Sequence, residues 1–98
     1  MKEKISFYYM QYDDVSSWKD LTKLKEINLR GNRVSDISSF EKMESLEDLN
    51  LCENGVSDIE VLCDKKKLKK LDLEHNKIQD FSPVEQLYNL TELNISLN

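Results

Sequence analysis

Two glycines and one proline are all that punctuate the 98 residues of this chain, too few to mark linkers between several domains. No apolar run is long enough for a signal peptide or a membrane span: Met1-Lys2-Glu3-Lys4 is followed at once by polar Ser6, Gln11, Asp13 and Asp14. A cytoplasmic location is the expectation. There is a single histidine, His75, with no Cys, His or nucleophile at a recognised metal or catalytic spacing, which speaks against an enzyme or a metal centre. The two cysteines, Cys52 and Cys63, do not form a C-x-x-C pair. Base is short as well: 14 Lys and Arg stand against 19 Asp and Glu, and the net charge of −5 repels nucleic acid and anionic membranes.

What the chain has is a period. Leu24, Ile27, Leu29 and Asn32 recur without a gap as Leu46, Leu49, Leu51 and Asn54, and again as Leu68, Leu71, Leu73 and Asn76, 22 residues apart. A further copy, Leu90, Leu93, Ile95 and Asn98, stays in phase. Between the copies the apolar positions repeat too: Val34, Ile37, Phe40, Met43; Val56, Ile59, Leu62; Ile78, Phe81, Val84, Leu87. One period upstream of Leu24, a degenerate copy places Ile5 and Phe7 at strand positions and Tyr12, Val15, Trp18 and Leu21 at the later ones. The repeat divides the chain as one domain, 1–98, into a degenerate first coil (1–23), three full repeats (24–45, 46–67 and 68–89) and a partial one (90–98).

A repeat of this kind cannot bury its apolar side alone, so neighbouring coils must stack and stability becomes a sum of nearest-neighbour contacts. Within L-x-L, side chains alternate: Ile27 and Leu29 point inward while Glu26, Asn28 and Arg30 point out. The asparagines stand where each coil leaves the strand and backbone groups are cut off from water. An inward amide carries both donors and acceptors and can satisfy them. The apolar spacing near three after each asparagine suits short 3₁₀ or α turns on the opposite side.

The L-x-x-L-x-L-x-x-N pattern resembles the leucine-rich repeats. The 22-residue length, with Val34-Ser35-Asp36-Ile37 and Val56-Ser57-Asp58-Ile59, is similar to the internalin class and to the leucine-rich-repeat regulatory subunit of protein phosphatase 1. The resemblance implies an α/β right-handed solenoid with a short parallel β-sheet on its concave side and 3₁₀ or short helical turns on its convex side. It also implies a role in binding another protein, as adaptor or regulator.

Four places depart from the pattern. Lys2 replaces the first Leu and Met10 the Asn, as in a terminal coil that acts as its own cap. Lys65 occupies the position of Met43 and Leu87, where its stem is expected along the core with the ammonium snorkelling outward. Pro83 is replaced by Ser39 and Val61 in the other copies. The strand carrying Leu93, Ile95 and Leu97 has no successor, which leaves an edge for a longer array, a partner or a second copy of the chain to cover.

The outward positions form three rows: Lys4, Glu26, Asp48, Lys70, Glu92; Ser6, Asn28, Asn50, Asp72, Asn94; and Tyr8, Arg30, Cys52, Glu74, Ser96. Tyr8, which makes an aromatic-cationic corner with Arg30, and Tyr9 at the loop end of the strand are the best anchors for a partner, because Tyr and Arg combine large area with a polar tip; the alternative is that the two tyrosines only shield an edge of the first coil. The partner-binding set is therefore Tyr8, Tyr9, Glu26, Asn28, Arg30, Asp48, Asn50, Cys52, Lys70, Asp72, Glu74, Glu92 and Asn94. Phe7, Tyr12 and Trp18 align with core positions. Cys52 is expected to face outward from the sheet and Cys63 to face solvent on the convex side, so the two remain free thiols, as suits a reducing compartment. No cofactor is implied. The run Lys65–Lys70, with Leu68 inside it, has a weak electrostatic role, and the sequons at Asn89 and Asn94 mean little without a secretory signal. Five strands about 4.8 Å apart make a face roughly 20 Å wide. A face so narrow falls short of the roughly 800 Å² per partner of a standard interface, so it must borrow loops or an end, belong to something longer, or bind weakly.

Overall fold

The computed structural model describes residues 3–98; Lys2 lies outside them. Five three-residue strands, β1 (Lys4–Ser6), β2 (Glu26–Asn28), β3 (Asp48–Asn50), β4 (Lys70–Asp72) and β5 (Glu92–Asn94), form one parallel sheet in chain order. Each pairs with the next at an offset of one period, as Ile5 with Ile27, Ile27 with Leu49, Leu49 with Leu71 and Leu71 with Leu93. Between strands the chain returns through 3₁₀ turns at Ser16–Asp20, Ser38–Lys42, Glu60–Leu62 and Ser82–Val84, which stack on one another opposite the sheet. Successive coils thus place like residues on like residues, and the core is a set of apolar columns. Leu24, Leu46 and Leu68 make one, Leu29, Leu51 and Leu73 another, and all are buried.

The asparagines close the coils as their chemistry requires. The Asn54 side-chain Nδ2 donates to the carbonyls of Leu29 (2.8 Å), Leu51 (3.0 Å) and Cys52 (3.2 Å), while its Oδ1 accepts from the Val34 amide (2.9 Å). Asn76 repeats the set on Leu51, Leu73, Glu74 and Val56, and Asn98 on Leu73, Ile95, Ser96 and Ile78. Asn32 binds Phe7, Leu29 and Arg30 carbonyls and accepts from both Met10 and Tyr12 amides. Each amide bridges its own coil and the one before it, which makes the ladder tertiary as well as local.

A second ladder runs along the other edge. Asp14, Asp36, Asp58 and Asp80 each accept, through Oδ1, the backbone N–H two residues on, at 2.8 to 2.9 Å, and so open the four 3₁₀ turns. These are Asx turns, in which a short carboxylate satisfies a donor that the turn leaves free.

Three placements in the core and on the side of the 3₁₀ turns differ from the expectations above. Phe7 is 36% exposed rather than in the core, because among the described residues a coil covers it on one side only; it stacks on Tyr12 (5.8 Å between ring centroids), and Trp18 stacks on Phe40 (6.3 Å) as the deeper member of the aromatic cluster. Lys65 does not snorkel. Its side chain is 1% exposed, and its Nζ donates to the Glu41 carbonyl (2.8 Å) and pairs with Asp64 (3.3 Å), so the ammonium replaces water with a carbonyl and a carboxylate of its own surroundings. Cys63 is only half-buried.

Candidate functional site

The outward rows form as the alternation requires. Lys4, Glu26, Asp48, Lys70 and Glu92 lie side by side across the sheet, and Ser6, Asn28, Asn50, Asp72 and Asn94 form the next row. The third row lies just past the strand ends but stays in register, because backbone bonds continue there: Gly31 donates to the Cys52 carbonyl, Glu53 to that of Glu74 and His75 to that of Ser96.

In the first row Lys4 is held by Glu26 at 2.9 Å, a bond that raises the lysine pKa above its ordinary 10.5. Asp48 is a half-buried carboxyl; partial burial, then Glu26, push its pKa up, against the pull of Lys70. The second row does structural work that residue type alone does not reveal. Asn28, Asn50, Asp72 and Asn94 each accept the backbone N–H two residues on, at 2.9 to 3.1 Å, so one face of each side chain is committed to ending its strand.

Cys52 corrects the sequence reading. It is 1% exposed, not displayed. A thiol is short, and in its row it lies between the longer Arg30 and Glu74, whose charges act on it together with those of Asp72 and Glu53. Its Sγ makes a 3.9 Å contact to Glu74 Oε2. Cys52, Asp72 and Glu74 bring one thiol and two carboxylates within 4.8 Å of one another, donors that zinc accepts. Burial first, and then the adjacent Asp72, raise the thiol pKa above its ordinary 9.0, which opposes the thiolate a metal would need.

The corner of the sheet at Tyr8 and Tyr9 is more built than the sequence implies. Both tyrosines are more than half exposed. Arg30 Nε donates to the Tyr9 hydroxyl (3.1 Å), that hydroxyl reaches Glu53 Oε2 (3.5 Å), and Arg30 pairs with Glu53 Oε1 (3.5 Å). Glu53, which reads as a loop residue in sequence, completes the triad because it stands one coil beyond Arg30. Tyr9, Gly31, Glu53, His75 and Leu97 all have φ between 55° and 72°, marking a left-handed position that recurs in every coil, and the degenerate first coil adds a second at Gln11 (φ 57°). At Gly31 the glycine eases φ +72°, a region that larger residues adopt at this position in the other coils, and it is needed because a Cβ there would collide with the Tyr9 ring lying across it.

Two grooves flank these rows. One, about 410 Å³, lies on the sheet among Asp48, Asn50, Lys70, Asp72, Glu92 and Asn94. The other, about 540 Å³, lies along the edge where the chain enters the strands, among Lys25, Ser45, Glu47, Lys67 and Lys69. The lysine run does not act as one patch. Lys65 is buried, Lys66 donates to the Cys63 and Gln86 carbonyls, Lys69 pairs with Glu47 (3.7 Å), and Lys70 stands on the sheet face.

The family description "Leucine Rich repeats (2 copies)" matches residues 16–64 and 66–98. The chain belongs to the leucine-rich-repeat family. Among solved structures, an internalin (InlF) of Listeria monocytogenes is 30% identical with a TM-score of 0.85, over 90% of this chain and 26% of that one. Internalin C2 of the same bacterium is 29% identical with a TM-score of 0.84, over 87% of this chain and 38% of its own. A leucine-rich-repeat protein of Leptospira interrogans is 28% identical with a TM-score of 0.70, over 84% of this chain and 22% of that one. The chain therefore spans between a fifth and two fifths of these structures. No curated protein sequence matches it. The fold is an internalin-like leucine-rich-repeat solenoid, a repeat module of the kind that serves protein interaction.

Proposed function

We propose that this chain binds a partner protein through its concave sheet face, in an adaptor or regulatory role in the cytoplasm, with Tyr8, Tyr9, Arg30 and Glu53 as the anchor. The observation that carries this reading is the corner triad. An exposed tyrosine held in place by an arginine and a glutamate presents area without a large loss of side-chain freedom on binding. The rest of the face sets the partner's charge. Lys4 is spent on Glu26, and Arg30 on Tyr9 and Glu53, so among the described residues of the face Asp48, Asp72, Glu74 and Glu92 are answered only by Lys70. That balance favours a partner segment carrying Lys or Arg and disfavours nucleic acid or an anionic membrane. Both grooves are open to water, which suits recognition better than a reaction needing a dry, enclosed site, and we read the chain as non-enzymatic.

Capture from native lysate with the wild-type chain, beside one carrying Tyr8→Ala and Arg30→Ala, tests the proposal. The partner should be lost from the double variant while its melting temperature stays close to wild type. Undiminished capture by a folded double variant overturns it.

A second reading rests on the flank of β5. Leu93 (44% exposed) and Ile95 (39%) are the bare members of columns that are buried in the three coils before them, and a second copy of the chain would cover them. Sedimentation across a concentration series tests this, and a monomer throughout refutes it.

A further inference from the structure

Asn54 is followed by Gly55, the one Asn-Gly pair in the sequence. In the adjacent coils the residue after the ladder asparagine is Arg33 or Lys77. The fold does not require the glycine: Gly55 is not among the left-handed residues, and a Cβ added to it would find its nearest neighbour, the Val34 carbonyl oxygen, at an ordinary 3.7 Å. A glycine without a conformational reason thus stands beside the most heavily bonded kind of side chain in the molecule.

We infer that Asn54–Gly55 is a latent deamidation site, protected by the folded ladder and exposed when the coil opens, whose reaction prevents the solenoid from closing again. The chemistry needs only water. The Gly55 backbone nitrogen attacks Cγ of Asn54; the new C–N bond forms as the bond to Nδ2 breaks, and the amide nitrogen leaves as ammonia with the proton that the Gly55 nitrogen gives up. Water then adds to either carbonyl of the cyclic imide and opens it to aspartate or isoaspartate. A glycine successor permits the attack because it has no side chain to obstruct the approach.

In the folded chain each participant is occupied. The Gly55 N–H donates to the Val34 carbonyl (2.9 Å), Nδ2 donates to three carbonyls, and Oδ1 accepts from Val34 N–H, so Asn54 is anchored to the coil before it. The ring-forming motion breaks these bonds together. Reaction therefore waits on local opening, whose population sets the rate. The product cannot rebuild the ladder. A carboxylate is acceptor-only, and the carbonyls of Leu29, Leu51 and Cys52 would face it with no donor between them. An isoaspartate adds a backbone atom and breaks the register of β3 against its neighbours as well.

The test follows the tryptic peptide from Met43 to Lys65, in which Asn50 is an internal amide control. Wild-type chain is held at mildly alkaline pH with and without denaturing urea, and the amide-to-acid mass gain is assigned by fragmentation. Acid should accumulate at Asn54 in urea and at least about tenfold more slowly in buffer, as expected for reaction through a minor open state. Gly55→Ala should suppress it in urea and leave the melting temperature at or slightly above wild type. Asn54→Asp should melt well below wild type or fail to fold. Equal rates in urea and buffer would remove the protection, and wild-type melting of Asn54→Asp would remove the consequence; either overturns the inference. The mass readout in urea does not depend on any variant folding.

Discussion

Leu49 and Leu93 occupy the same position in the repeat, on β3 and β5, yet truncating them should have very different costs. Leu49 is fully buried in the middle of the inward column, between Ile27 and Leu71, whereas Leu93 has one flank bare. Leu49→Ala removes three buried carbons, a loss of about 2.4 kcal/mol at ~0.8 kcal/mol per CH₂. The ladder amides on either side hold the neighbouring coils in place and limit collapse into the void, so the cavity adds to this and the total should reach about 3 to 5 kcal/mol. For a domain of this size that lowers the melting temperature by roughly 15 °C or more. Leu93→Ala loses only its covered part, about 1 kcal/mol. Asn50→Ala, which faces outward, loses the single bond to the Cys52 amide (2.9 Å), about 1 kcal/mol or less. Urea melts of the three variants, with midpoints compared at constant slope, decide the matter. A cost for Asn50→Ala equal to that of Leu49→Ala would refute the inward and outward register. A cost for Leu93→Ala equal to that of Leu49→Ala would mean that the β5 flank is covered in solution.

Lys65→Met should melt at or above wild type, since Met43 fills the same place one coil earlier and a buried ammonium gives way to an apolar side chain; a fall of several degrees in thermal unfolding would show that its bond to Glu41 is needed. Gly31→Ala should displace the Tyr9 ring and cost about 1 kcal/mol for the positive φ, while weakening partner capture as Tyr8→Ala does; unchanged capture would separate the corner from binding. Cys63 should react with a thiol probe in the native state, and Cys52, buried and with its thiol pKa raised, only as the chain unfolds, so equal labelling rates would contradict its burial. In acid the Asx turns should fail. Backbone N–H bonds from Ser16, Ser38 and Ser82 hold the carboxyls of Asp14, Asp36 and Asp80 below the ordinary 3.8, so their contribution is present above the unfolded value and lost as pH falls through the lower folded ones. Asp48 acts in the opposite sense, its raised pKa favouring the fold on protonation. Three lowered groups against one raised predict a melting temperature that drops below about pH 4, a drop that Asp36→Asn should make shallower.

The period of 22 and its alternation carry the fold: which residues face inward, which row each outward residue joins, and where the asparagines must bond. These follow from sequence because a solenoid repeats one local geometry, so a residue's neighbours in space are its equivalents one period away. The departures lie where that translation fails to describe the surroundings. Phe7 is covered by a neighbouring coil on one side only among the described residues, so a core position became partly exposed. Lys65 found a carbonyl and a carboxylate within reach, a matter of side-chain geometry that its place in the pattern does not encode. Cys52 is hidden because its row neighbours are longer than it is, and in the Tyr9–Arg30–Glu53 triad Arg30 reaches the next position of the repeat in the coil before it and the coil after it, across the small Gly31 that holds that position in its own coil. The repeat and its hydrophobic phase were thus determined by the sequence alone, since stacking identical coils leaves one arrangement that buries them. Which polar side chains meet across the stack was decided only by the tertiary structure, because length, charge and the shape of the adjacent side chain all enter at once.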